Sequence, residues 1–270
     1  MSADGRLVGG IIAAGEGRRL RADGWPMPKP LVPIAGVPLM ASVVGNFAAA
    51  GIPSIVAIVN EAERECVEWA RGRFPGLDLR FIVKTTASSL ESFLEVVRYP
   101  SATGPGPILV STVDAWCPPA EFARFVEAAR RRPAGSTVLA VTPFVADESP
   151  LWVRLGADGR IAEIGGAGGD VVTAGVYLVP ERVRRLTPPA GLGRLREFLG
   201  WLVKSGEPVY GDVVPKVIDV DRSSDVALAE AEALAATTDG ADVAQPRRNR
   251  LAMAGSNTVG RPIKTGGTAE

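Results

Sequence analysis

The strongest constraint on the fold is a regular alternation of apolar runs with helix-like segments. Apolar runs bounded by turn residues occur at 7–14, 54–60, 79–84, 107–115 and 136–144. The segments between them have apolar residues at helical spacing and lie at 38–51, 61–74, 88–99 and 119–132. Continuous apolar runs of this length are typical of strands that are buried on both faces. The alternation therefore predicts an α/β fold with a Rossmann-like, mixed but mostly parallel sheet and helices on both faces.

The alternation of apolar runs with helix-like segments changes after residue 145. Short apolar segments at 151–156, 159–166 and 173–179 are separated by glycines, which predicts a small antiparallel excursion. A helix at 193–206, a short strand at 215–221 and a last helix at 224–236 follow. Periodicity then stops, and the remaining residues are rich in Gly, Pro, Thr and Arg. We therefore expect one domain at 1–237 and a disordered C-terminal tail at 238–270.

The composition excludes several classes of function. The chain contains no histidine, which rules out Ser-His-Asp and Cys-His catalysis and His-ligated zinc. Its 30 Lys and Arg balance 30 Asp and Glu, so the net charge predicts neither nucleic acid nor an anionic membrane as a partner. The two cysteines lack metal-site spacing, and no apolar run is long enough to span a bilayer. We expect a cytoplasmic protein.

The chain opens with a strand that runs directly into glycines and positive charge. The two blocks are "GGIIAAGEGRRL" at 9–20 and "PKPLVPIAG" at 28–36. Glycines let the backbone N–H groups converge on a phosphate, and Arg18, Arg19 and Lys29 could add charge-assisted hydrogen bonds. Taken alone, such a loop is also compatible with an ordinary surface turn. The Walker A pattern is absent, and the glycine spacing does not fit a Rossmann fingerprint.

Together, "AAGEGRRL" and "PKPLVPIAGVPL" resemble the signature of sugar-phosphate nucleotidylyltransferases, a family of NTP transferases of the MobA-like, GT-A type. The resemblance implies Mg²⁺-dependent transfer of NMP from an NTP to a sugar 1-phosphate or a related phosphate, such as an alditol phosphate, with release of pyrophosphate. It assigns catalytic roles on the phosphates to Arg19 and Lys29. It also implies the nucleotide-binding residues Ala13, Ala14, Gly15, Glu16 and Gly17.

Aspartates follow two of the later apolar runs. Asp114 follows "ILVSTV" and should emerge at the carboxyl end of a central strand, where open α/β sheets bind ligands. By itself it is also compatible with a loop or helix-capping residue. The segment "VIDVDRSSD" at 217–225 resembles a second family motif. The resemblance assigns Asp114 and Asp221 to the metal, with Asp219 beside them, whereas Asp225 is expected in the first turn of the last helix.

Three further segments give weaker signals. "KTTASSLES" at 84–92 resembles the family loop that meets the base and ribose, which implies nucleotide binding by Ser88 and Ser89. The same serines are compatible with a helix N-terminus. "TAGVYLV" resembles a strand whose glycine, here Gly175, approaches the sugar. The family's Glu-Lys-Pro motif is missing, and we expect Lys216 to replace its phosphate-binding lysine.

Three alternatives stay open at the level of sequence. A GT-A glycosyltransferase that uses a nucleotide sugar would account for the D-x-D sequence at 219–221. A nucleotide-binding module without activity would account for the missing lysine. A molybdopterin nucleotidylyltransferase would share the architecture, although "PKPLVPIAG" fits the sugar branch better. The base, the acceptor and the formation of a homo-oligomer are not decided by the sequence.

Overall fold

The computed structural model describes residues 7–99, 106–146 and 148–243, with side chains up to residue 236. The strands are β1 (Val8–Ala13), β2 (Pro33–Ile34), β3 (Val37–Pro38), β4 (Ser54–Val59), β5 (Asp78–Val83), β6 (Ile108–Thr112), β7 (Ala115–Trp116), β8 (Thr137–Thr142), β9 (Trp152–Leu155), β10 (Ile161–Ile164), β11 (Val171–Val179), β12 (Val209–Val213) and β13 (Ile218–Asp219). The helices are α1 (Arg18–Ala22), α2 (Leu39–Ala49), α3 (Glu65–Arg73), α4 (Ser89–Val97), α5 (Pro119–Arg131), α6 (Glu181–Arg184), α7 (Leu195–Lys204) and α8 (Ser223–Val243).

The central sheet is mixed, as predicted. Strands β5, β4, β1 and β6 lie side by side and run parallel. β11 joins β6 in the antiparallel direction, β8 pairs with β11, and β12 lies parallel to β8. The predicted antiparallel excursion corresponds to β9, β10 and β11, and β9 and β10 extend the sheet from the first residues of β11. β12 was not predicted, because the sequence "VYGDV" contains a glycine and an aspartate.

Helices cover both faces of the sheet and enclose one apolar layer on each side. On one face, Phe47 of α2 contacts Phe122 of α5 edge to face, with ring centroids 5.2 Å apart. On the other face, Phe93 of α4 contacts Phe198 of α7, with centroids 5.7 Å apart. All four rings are buried, so each aromatic pair anchors a pair of helices to the sheet.

Helices α1 and α8 differ from the sequence prediction. Helix α1 forms directly after the glycine loop, where no helix was predicted, and its one buried residue is Leu20. Helix α8 continues to Val243, past the predicted end at 236 and into the predicted tail. The rest of that tail, 244–270, lies outside the described residues. Within the described part of the chain, no helix is both long and apolar enough to cross a bilayer.

A small ribbon brings the C-terminal aspartates to the end of β6. Strand β13 pairs with β7 in the antiparallel direction, which sets Asp219 opposite Ala115. The Val220 N–H then donates to the carbonyl oxygen of Asp114 at 3.1 Å. The aspartates of two distant segments therefore meet at the carboxyl edge of the sheet.

Candidate active site

Lys29 lies at the centre of the site. It begins a single 3₁₀ turn, Lys29–Leu31, and the Pro28 and Pro30 rings on either side restrict its backbone. Its side chain is only 7% exposed. The ammonium donates to Asp114 Oδ2 at 2.6 Å and also to Asp221 Oδ1. Residues from the second block, from the end of β6 and from the segment after β13 thus meet at one point.

Arg19 completes this ion-pair network from helix α1. Its guanidinium donates from Nη1 to Asp221 Oδ2 at 2.7 Å, and its side chain remains about half exposed. Arg18, the neighbouring arginine, instead pairs with Glu16 at the surface. Of the two arginines in the motif, Arg19 is therefore the one that faces the aspartates.

The charges of the central pair are mutually stabilised. Burial alone would lower the pKa of Lys29, but the carboxylates of Asp114, Asp221 and Asp219 outweigh burial and raise it. Burial alone would raise the pKa of Asp114, but the Lys29 ammonium and a hydrogen bond from Thr112 hold it below its usual value. Both groups are therefore charged at neutral pH.

The acidic cluster has the chemistry of a divalent-cation site. Asp114, Asp219 and Asp221 each offer a carboxylate oxygen, and these oxygens lie within 4.8 Å of one another. The Lys29 ammonium already lies between two of these carboxylates and would compete with a metal ion for them. Clustered carboxylate oxygens are the ligands that Mg²⁺ prefers. The residues present therefore fit the predicted metal.

The glycine loop packs directly against Lys29. Gly17 precedes α1 with φ of 59°, a left-handed conformation. A Cβ at this position would lie 2.9 Å from the Lys29 Cβ, whereas a Cβ on Gly15 would meet nothing within 4 Å. Gly17 thus permits the close approach of the loop to Lys29. Gly15 is exposed, with open space around it, and follows the buried residues Ala13 and Ala14.

Asn60, which the sequence analysis did not select, links three loops at the same edge of the sheet. Its amide donates to the Ala14 carbonyl at 3.4 Å. Its Oδ1 accepts from the Ala62 N–H at 3.0 Å and from the Thr85 hydroxyl at 3.2 Å. The only sequence signal was its position as the first polar residue after β4. Asn60 therefore connects the glycine loop to the loops that follow β4 and β5.

A cavity of about 300 Å³ opens beside the acidic cluster. Asp114 and Asp219 form one end of it, and β11 and the first turns of α7 form its walls. Gly175 of β11 lines the wall with φ of 72°, and a Cβ there would lie 2.7 Å from both Ala115 Cβ and Thr112 Oγ1. The register of β11 against β8 shifts at this point. Gly175 is therefore needed for the close contact between β11 and the end of β6.

The remaining predicted residues lie at different distances from this centre. Ser88 caps α4 by accepting the Glu91 N–H at 3.1 Å. Ser89 lines the cavity and accepts the Leu195 N–H at 3.1 Å. Lys216 does not line the cavity: its ammonium bonds Glu232 at 2.5 Å and lies 5.0 Å from the Phe144 ring centroid.

Asp225 has the structural role that was expected of it. Its carboxylate accepts the N–H groups of Asp221 at 3.0 Å and of Arg222 at 2.8 Å, at the start of α8. The same helix start is held by Asp23 and Trp25, which bond Ser223 from the segment after α1. These bonds fix the backbone that carries Asp221.

The sequence analysis did not select Tyr177, Arg194 or Arg196, which also line the cavity. Tyr177 belongs to β11, and Arg194 and Arg196 lie at the start of α7. The only signal for the arginines was an R-x-R pattern at the beginning of a predicted helix. Nothing in that local pattern indicates that the helix end faces Asp219.

Comparison with known proteins identifies the family of the chain. The family model of the MobA-like NTP transferase domain matches residues 9–186. A curated relative, the CMP-5'-(3-aminopropyl)phosphonate synthase of Streptomyces rubellomurinus, is 31% identical over 86 residues. The match covers 32% of this chain and 14% of that relative.

Two solved structures share the fold. The inositol-1-phosphate CTP transferase from T. maritima superposes with a TM-score of 0.71 at 20% identity, over 82% of this chain and 92% of that one. A putative glucose-1-phosphate thymidylyltransferase from Bacillus anthracis, solved in complex with a sucrose, gives a TM-score of 0.72 at 19% identity, over 84% and 95% of the two chains. Because the family model spans most of the chain, the protein belongs to the family of MobA-like NTP transferase domains, whose members are nucleotidyltransferases.

Proposed function

We propose that this chain is a Mg²⁺-dependent nucleotidylyltransferase that transfers NMP from an NTP to a sugar 1-phosphate or a related small phosphate. Pyrophosphate is the second product. The observation that carries the proposal is the buried Lys29 ammonium, held between Asp114 and Asp221 beside a glycine loop. This arrangement concentrates fixed positive charge, backbone donors and metal-ligand oxygens around one point.

The reaction needs no general base. The nucleophile is the phosphate of the acceptor, whose second pKa is about 6, so it is largely a dianion at neutral pH. One of its oxygens forms a bond to the α-phosphorus, and the bond from that phosphorus to the pyrophosphate oxygen breaks. No proton has to move, which is consistent with a chain that contains no histidine.

The task of the protein is to align two polyanions and offset their repulsion. The loop N–H groups at 15–17 and the Arg19 guanidinium bind the triphosphate, and Lys29 donates to the phosphoryl group that is transferred. Asp114 and Asp221, with Asp219 beside them, would hold Mg²⁺, which supplies further positive charge to the phosphate oxygens. Lys29 exchanges a carboxylate partner for a phosphate oxygen when the nucleotide binds.

The compartment and the donor follow from other observations. Cys66 and Cys117 are both buried free thiols, which supports a reducing compartment, and we propose the cytoplasm. The names of one curated relative and one structural neighbour contain CMP and CTP. CTP is therefore the first donor to test.

The direct test is pyrophosphate release with each of the four NTPs against a panel of sugar 1-phosphates and alditol phosphates. We expect release that depends on Mg²⁺, on one preferred NTP and on an added phosphate acceptor. Products should be identified by mass spectrometry. Activity only with a finished nucleotide sugar would replace the proposal with the glycosyltransferase alternative, and nucleotide binding without product would favour the inactive module.

A further inference from the structure

The cavity contains one buried polar group, the Tyr177 hydroxyl, that has no role in the proposed binding of the NTP. The Tyr177 side chain lines the cavity, and the residue is only 5% exposed. Its hydroxyl has no hydrogen-bond partner within the described residues, although Tyr O–H groups usually find one when buried. Burial, reinforced by Asp219 and Asp114, raises the pKa of Tyr177, so the phenol is a neutral donor. It is therefore available to a ligand.

Two arginines lie in the same cavity without a carboxylate partner. Arg194 has no ion pair in the described part of the chain, and Arg196 donates only to the neutral Ser149 carbonyl at 3.1 Å. Glu197, their neighbour on α7, is occupied by the N–H groups of Gly193 at 2.8 Å and of Arg194 at 2.9 Å. The single negative charge of Glu197 acts on both guanidinium groups and cannot offset two positive charges, so a net positive charge remains at the start of α7.

Two arginines elsewhere in the fold do have a carboxylate partner. Arg132 pairs with Asp212, and Arg182 pairs with Glu207. Among the described residues that line the cavity, the only carboxylates are Asp114 and Asp219, which belong to the acidic cluster. The cavity therefore has a metal-binding end and a cationic wall, with a neutral phenol as an additional donor.

We propose, on the basis of the function proposed above, that Arg194, Arg196 and Tyr177 bind the anionic head group of the acceptor. The ligand class is a small organic phosphate or phosphonate. Guanidinium groups suit such a dianion because their planar N–H groups can donate to two oxygens at once. A volume of about 300 Å³ lies at the lower end of small-molecule sites, which favours a small acceptor.

The assignment explains how the chain works without the Glu-Lys-Pro lysine. Lys216, the sequence candidate for that role, has its ammonium engaged by Glu232 and lies outside the cavity lining. The arginines enter the same cavity from α7. They hold the head group at the wall while one of its oxygens faces the α-phosphorus near Asp114.

Direct binding measurements on the full chain test this assignment without requiring turnover. The probes are methylphosphonate and glycerol 3-phosphate, titrated by calorimetry into the wild type and its variants. We expect the dissociation constant to rise by about tenfold or more in Arg194→Ala/Arg196→Ala and by about threefold in Tyr177→Phe. Arg185→Ala is the matched control, because Arg185 is exposed and pairs with Glu181 outside the cavity, and it should leave binding unchanged.

Several results would overturn the assignment: no saturable binding to the wild type, unchanged binding in the double variant, or weakening by Lys216→Ala alone. Steady-state kinetics then separate this inference from the proposed function. The acceptor KM should rise in the arginine variants while the NTP KM stays constant. Probe binding that depends on the arginines, without pyrophosphate release from any NTP, would reject the function and retain the anion site. Turnover that is insensitive to both arginines would retain the function and reject the site.

Discussion

The two sides of the reacting centre are built in different ways. The proposed donor side consists of the glycine loop at 13–17 with Arg19 and Lys29, and the Arg19 and Lys29 side chains are already paired with Asp114 and Asp221. The proposed acceptor side is the cavity between β11 and α7, where Arg194 forms no ion pair and the Tyr177 hydroxyl no hydrogen bond among the described residues. One side is rich in backbone donors and internally neutralised, whereas the other is lined by side chains.

This difference has a physical reason. Every NTP carries the same triphosphate, so backbone N–H groups fixed by glycines can bind it regardless of the other substrate. An acceptor varies in size and shape, and recognition of it depends on side chains that separate elements contribute. Substitutions on the donor side should therefore affect catalysis with any acceptor, and substitutions in the cavity should affect the acceptor KM.

The largest effect is expected on the donor side. Lys29→Ala and Asp114→Ala should each reduce turnover by a factor of about 10²–10³, the scale of losing one preorganised electrostatic group. The fold should survive, since the Asp114 and Asp221 side chains are 24% and 34% exposed and can be hydrated. Rates of pyrophosphate release and circular dichroism check both parts. Lys204→Ala, at the exposed end of α7, is the control, and near-normal turnover of Lys29→Ala would remove its assigned role.

A smaller effect is expected from a substitution in the glycine loop at 13–17. Gly17→Ala combines a left-handed φ of 59° with a Cβ 2.9 Å from that of Lys29. Strain of about 1–2 kcal/mol at this position should lower kcat/KM for the NTP by about tenfold. Gly45→Ala, a helical position with nothing within 4 Å of the new Cβ, is the matched control. If both variants behave like the wild type, close packing of loop and lysine does not matter for the reaction.

Gly175, the glycine that lines the cavity, should affect the binding of the acceptor more than the binding of the NTP. Gly175→Ala would bring a Cβ to 2.7 Å from Thr112 Oγ1 and Ala115 Cβ, next to the cavity. We expect the acceptor KM to rise by several-fold, up to about tenfold, with a smaller change in the NTP KM. Gly168→Ala, on an exposed loop with free space, should be silent. An increase confined to the NTP KM would contradict the division into two sides.

The smallest effect is expected from Asn60, which holds the glycine loop through a hydrogen bond to the Ala14 carbonyl. Asn60→Ala removes three hydrogen bonds that join the loops after β1, β4 and β5. Loss of a buried polar hub of this kind should lower the free energy of unfolding by about 1–3 kcal/mol. Urea denaturation measures the change. Thr85→Val, which removes one of the same bonds at a more exposed position, should cost less than half as much.

The sequence analysis selected most residues of the proposed donor side and few residues of the proposed acceptor side. Asp114 and Lys29 belong to motifs whose chemistry and position relative to a strand can be read locally. The mixed sheet and the helices on both faces followed from the alternation of apolar runs. The meeting of Asp221 with Lys29 required the additional assumption that the last strand returns to the end of β6, and the ribbon of β7 and β13 provides that return.

The acceptor side could not be predicted in the same way. Arg194 and Arg196 lie at the start of a helix whose sequence gives no information about the element it faces. The sequence around Tyr177 indicates an ordinary core residue of a strand. Only the three-dimensional structure shows that its hydroxyl faces a cavity. Helix α1 was missed because its five residues depend on Gly17 and on contacts of Leu20 with the core.

The central claim is that Lys29 and a divalent cation share the same carboxylates. Binding of Mn²⁺ in the absence of nucleotide, followed by electron paramagnetic resonance, tests it most directly in the wild type, Lys29→Met and Lys204→Met. Because the ammonium and the metal compete for Asp114 and Asp221, Lys29→Met should bind Mn²⁺ about tenfold more tightly than the wild type, and Lys204→Met should not differ from it. Equal or weaker Mn²⁺ binding by Lys29→Met would contradict the account.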